Sequence, residues 1–87
     1  MLINPIDIAM TLYEFNVLSD NDKYSAIWDL GVHLDSVIIG GERIVIYAIE
    51  RFFVEVYYDA DSNTIIKNTS FKSGHNLDKY SNIKSNI

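Results

Sequence analysis

Apolar positions first recur along the chain at helical spacing. Leu12, Phe15 and Leu18 form one short apolar face, and Tyr24, Ile27 and Trp28 form a second before Gly31. Spacings of three and four place such residues on one side of a helix. Each run opens on a start signal. Thr11-Leu12-Tyr13-Glu14 fits the capping box, in which the Thr hydroxyl accepts from a free helix N–H and the Glu reaches back to the Thr amide. Ser19-Asp20-Asn21-Asp22 follows with acids in the first turn, where the helix dipole favours them. The pattern predicts helices over 11–18 and 20–30, with Gly31 stopping the second in a left-handed cap.

From Val32 the period changes from helical to alternating. Val32, Leu34 and Ile38 alternate with His33, Asp35 and Val37. Gly40-Gly41 between two apolar runs is a two-residue hairpin signal. Ile44 to Ile49 is β-branched and apolar on both parities, as a central strand should be. Glu50-Arg51 marks a second tight turn, although it lacks Gly or Asn. Phe52 to Tyr58 and Thr64 to Phe71 complete four strands. Beyond Ser73, Leu77 and Tyr80 could anchor one helical turn, and the last residues should fray.

Two helices followed by a meander predict an α+β fold. The two N-terminal helices should pack on one face of a four-stranded antiparallel meander, as a two-layer sandwich. Residues 1–9, interrupted by Pro5, read as an N-terminal extension to a single domain over 10–87. Phe52, Val54, Val56 and Tyr58 should face the helices, with Trp28 as a central plug. The opposite set on that strand is Phe53, Glu55, Tyr57 and Asp59, which is mixed, aromatic and acidic.

Composition narrows the role. The chain has 87 residues, no cysteine and a net charge of −5. Without cysteine there are no disulfides, thiolate zinc sites or cysteine nucleophiles. Scattered bases on an acidic domain argue against nucleic acid, because phosphate binding is driven by Lys and Arg. The start lacks the basic region of a signal peptide, and no apolar run approaches the ~20 residues of a membrane helix. The sequence therefore suggests a soluble cytoplasmic protein, with no membrane partner.

Few residues suggest chemistry. Asp59-x-Asp61-x-Asn63 resembles the opening of a calcium loop, but Thr64 stands where Gly is needed and Ser70 where the bidentate Glu belongs. It reads as a hairpin loop. His33-x-Asp35 on one strand would put both side chains on one face, near Glu55. A zinc site wants three or four converging ligands, so a solvated polar face explains them better. Ser70, Ser73 and His75 form no nucleophile constellation. No metal or cofactor is implied, and the chain reads as not an enzyme.

Tyr47, Phe53 and Tyr57 are expected on one sheet face with Glu55, and His33 and Asp35 beside them. Tyr and Phe anchor protein interfaces, and acids steer a basic partner. The segments Leu12-Tyr13-Glu14-Phe15-Asn16, Ile27-Trp28-Asp29-Leu30-Gly31-Val32, Phe53-Val54-Glu55-Val56-Tyr57-Tyr58 and Ser70-Phe71-Lys72-Ser73 together resemble a group of small uncharacterised bacterial proteins. That resemblance implies a stand-alone domain starting near Met10 and brings no activity or ligand. The expectation is an inhibitor, immunity-like or adaptor domain that binds a protein, with a basic partner favoured. The alternative is a small-ligand or single-stranded nucleic-acid module on the same face. An enzyme ranks last, and a homodimer is compatible with all three, because a fourth strand with an unpaired edge invites pairing.

Overall fold

A computed structural model describes residues 10–72 and 77–80. The expected N-terminal extension and the frayed end of the chain lie outside the described residues, as do Ser73 and His75. The elements run α1 (Leu12–Asn16), α2 (Asp20–Leu30), β1 (Val32–Ile39), β2 (Glu42–Ile49), β3 (Phe52–Asp59) and β4 (Ile65–Phe71). The four strands form one antiparallel meander in the order β1-β2-β3-β4, and both helices pack on it, so the α+β expectation holds.

The local start signals work as read. Thr11 Oγ1 accepts from the Glu14 amide at 3.1 Å, and Glu14 Oε1 accepts from the Thr11 amide at 3.0 Å. Ser19 Oγ accepts from the Asp22 amide at 3.2 Å. A helix as short as α1 would not persist alone in water. Its stability comes from Phe15, which is fully buried and meets the Phe52 ring at 5.5 Å between centroids.

Gly31 ends α2 for a different reason from the one expected. Its φ is −75° and its ψ is 141°, so it is extended rather than left-handed. A Cβ at this position would stand 2.5 Å from the Ile27 carbonyl oxygen and 3.3 Å from Tyr47 Cβ. Glycine is required here chiefly by the last turn of α2 itself, whose Ile27 carbonyl occupies the space of a side chain, with β2 close behind. The β1–β2 turn is the opposite case. Gly40 and Gly41 have φ of 58° and 83°, the left-handed pair that a two-residue hairpin needs. At the β2–β3 turn Glu50 takes that role with φ 51°, although its side chain disfavours it.

Register assigns the faces. Ile49 pairs with Phe52, Tyr47 with Val54 and Val45 with Val56, so odd positions of β2 share a face with even positions of β3. This face carries the core under the helices: Phe15, Ala26, Ile27, Ile49, Phe52, Val54 and Val56. Burying each large apolar side chain there is worth about 1.5–3 kcal/mol. The plug is Ile27 with Phe15, not Trp28, which is 52% exposed. The opposite face holds Ile44, Ile46, Phe53 and Tyr57, and the chain's own Leu77 and Tyr80 pack onto it.

Candidate functional site

The six residues expected to share one surface divide between the two faces. Tyr47 points to the helix side, because its partner across the ladder is Val54. His33 goes with it: it pairs with Tyr47, and the two rings meet edge-on at 5.9 Å. Asp35 does not follow His33. The β1–β2 register slips between them, and Asp35 pairs with Ile46 on the other face. A bulge inserts one residue and reverses the parity beyond it. The expected His33–Asp35 pairing on one face is therefore broken by Leu34, the extra residue.

Phe53, Glu55 and Tyr57 do share the second face, but it is not open there. Glu55 is 1% exposed and fully engaged. Its Oε1 accepts from the Tyr57 hydroxyl at 3.1 Å and from the Thr69 hydroxyl at 3.0 Å. Its Oε2 accepts from the Tyr80 hydroxyl at 2.7 Å and lies 2.7 Å from Lys79 Nζ. Burial pushes the Glu55 carboxyl up, but Lys79, Tyr80 and Thr69 outweigh it and hold the group below its ordinary value. The same cluster raises the phenols: burial and then Glu55 push Tyr57 and Tyr80 above the usual tyrosine range. The sequence places Glu55 with Tyr57 but does not show its other partners, which come from β4 and from residues 77–80.

The surface that remains open lies on the helix side, between α2 and the β1–β2 hairpin. Tyr24 and Trp28, one turn apart on α2, stack at 6.2 Å, and Trp28 meets Tyr47 edge-on at 5.9 Å. Burial and the neighbouring Tyr58 raise the Tyr47 phenol. Beyond the buried Val45 and Val56 comes a row across the whole sheet, Ile38–Arg43–Tyr58–Ile65, which the ladder pairings align strand by strand. Arg43 lies over the Tyr58 ring at 4.5 Å and donates to Asn63. Ile38 and Ile65 at the two ends are 66% and 41% exposed. The result is an aromatic shelf, with Asp20 one turn before Tyr24 on α2 and Asp29 beside Trp28, both exposed.

The Asp59–Asn63 stretch is a turn. Asp59 Oδ1 accepts from the amides of Asp61 at 2.9 Å and Ser62 at 3.0 Å, and Asn63 takes a left-handed φ of 60°. Those two amides hold the Asp59 carboxyl below its ordinary value. Its Oδ1 is taken up by the loop itself, the local bonding that Asp makes in turns. Ser70 donates to Asn16 on α1 at 2.5 Å. Among the described residues, no group of three or more His, Cys, Asp or Glu is placed to hold a metal ion. Among them, too, no helix is long and apolar enough to cross a membrane.

Comparison with known proteins gives no match, whether to family models, to curated proteins or to solved structures.

Proposed function

We propose that this chain is a non-enzymatic interaction domain, an inhibitor or adaptor, that binds a basic protein partner on the aromatic shelf. The observation that carries the reading is the half-exposed Trp28, set against Tyr24 and Tyr47 and continued by the Arg43–Tyr58 stack. Trp, Tyr and Arg dominate the energetics of protein interfaces, because they bring large contact area with a polar handle. The acids flanking Tyr24 and Trp28, with the net charge of −5, favour a basic partner and speed its encounter. A binding role is supported over acid–base chemistry by the way the titratable groups are held. His33 and Asp35 belong to opposite faces, and Glu55 is enclosed by four partners.

In this reading the fold is a two-layer sandwich, with the working surface running from Tyr24 and Trp28 on α2 onto the part of the sheet that the helices leave uncovered. The test is affinity capture from the native lysate with a tagged chain, read by mass spectrometry. A basic protein should be captured stoichiometrically by wild type and lost with the Trp28→Ala, Tyr58→Ala double variant. Tyr13→Ala, 76% exposed on α1, should retain it. Undiminished capture by the double variant would place the interface elsewhere. Retardation of single-stranded oligonucleotides at low salt, lost in the same variant, would instead support the nucleic-acid alternative.

A further inference from the structure

The second sheet face divides the Glu55 carboxylate into two halves. The sheet itself supplies Oε1 with both donors, Tyr57 and Thr69. Among the described residues, Oε2 takes its donors from the C-terminal segment, Lys79 and Tyr80. So the sheet positions the carboxylate and leaves one oxygen to be met by an ammonium and a hydroxyl. Around it, Ile44, Ile46, Phe53 and Tyr57 form an apolar wall in which Leu77 and the Tyr80 ring are buried. A cover needed only for stability would gain as much from apolar groups, because a buried ion pair must offset a large desolvation cost. What such a pair adds is register: a wrong segment leaves a bare buried charge.

We infer that this face is a recognition groove for a Leu-x-Lys-Tyr segment, filled here by Leu77–Tyr80, and that the same segment of a second copy can fill it in trans. The groove supplies the negative charge and the segment the positive one, so two copies exchange matching parts. Exchange of an identical element between protomers is a low-cost route to a dimer. The inference stands independently of the aromatic shelf, which lies on the other side of the sheet.

The test uses the full chain carrying Lys79→Glu and a labelled synthetic peptide of residues 73–87. Lys79 is 24% exposed at its side chain, so Glu fits sterically, yet it sets two carboxylates against each other and ejects the chain's own segment. Fluorescence anisotropy should show the wild-type peptide binding the Lys79→Glu chain at least ~10-fold more tightly than the wild-type chain, whose tethered segment competes at high effective concentration. A peptide with Tyr80→Phe should bind several-fold more weakly. Mixing Lys79→Glu chains with Glu55→Lys chains restores opposite charges only between chains. Native mass spectrometry should then show a heterodimer that neither variant alone resembles. Equal peptide binding by wild type and Lys79→Glu, or none by either, overturns the inference. Loss of cooperative unfolding in Lys79→Glu also overturns it, because the segment is then an inseparable core layer. Peptide binding without a heterodimer overturns the second copy as the occupant.

Discussion

Tyr80→Phe isolates one hydrogen bond and leaves the rest of the second face in place. The ring stays, so the apolar area buried against Ile44 and Ile46 is unchanged. The lost group is a hydroxyl that donates to Glu55 Oε2 at 2.7 Å, with both residues about 1% exposed. A hydrogen bond to a charged group contributes about 1.5–3 kcal/mol net. Oε2 keeps Lys79 at 2.7 Å, so the carboxylate is not stripped and the lower part of that range applies. The predicted loss is about 1.5–2 kcal/mol. For a domain of this size that corresponds to a fall in Tm of about 6–16 °C. Urea unfolding at pH 7, followed by circular dichroism, should show the midpoint shifted with the slope unchanged. A loss below about 0.5 kcal/mol, the level of an ordinary surface substitution, would refute the reasoning. It would mean that Oε2 is solvated and that the segment 77–80 does not close over it.

Two further predictions concern Glu55 and the end of α2. Because the folded-state Glu55 carboxyl is held below its unfolded value, its contribution to stability is present above about pH 4.3 and is lost as pH falls through the folded value. The urea midpoint of wild type should therefore drop below that pH more steeply than that of Glu55→Gln, and parallel acid limbs would show that the carboxylate is not the group involved. Gly31→Ala carries no φ penalty and would ordinarily stabilise by reducing unfolded-state entropy by about 0.4–1 kcal/mol. The new Cβ would meet the Ile27 carbonyl at 2.5 Å, so thermal melts should instead show a loss of about 1–3 kcal/mol. A neutral or stabilising result would mean that the last turn of α2 relaxes away from the new Cβ at little cost.

What the sequence determined by itself was local. Helix starts at Thr11 and Ser19 are written in hydroxyl and carboxylate positions that act within three residues. The Gly40-Gly41 turn and the even-numbered core set of β3 are equally short-range, because strand periodicity and turn chemistry need no distant partner. The side of Tyr47 was legible too. A two-residue turn at Glu50-Arg51 forces Ile49 opposite Phe52, and so Tyr47 opposite Val54. Its strand is apolar on both parities, which hides that side from periodicity alone.

Other features were decided only by tertiary structure. The bulge at Leu34 separates His33 from Asp35, and nothing in that alternating run marks it, because a bulge exists only relative to a paired strand. Gly31 reads as a helix stop in either conformation, and only the nearness of Ile27 and Tyr47 selects the extended one. Glu55 draws its partners from Tyr57 close by, but from Thr69, Lys79 and Tyr80 across 14 to 25 positions. The sequence offers Leu77 and Tyr80 as apolar anchors without saying where they dock. A local pattern records which side chains must leave water, whereas the buried carboxylate they meet is chosen by the folded sheet.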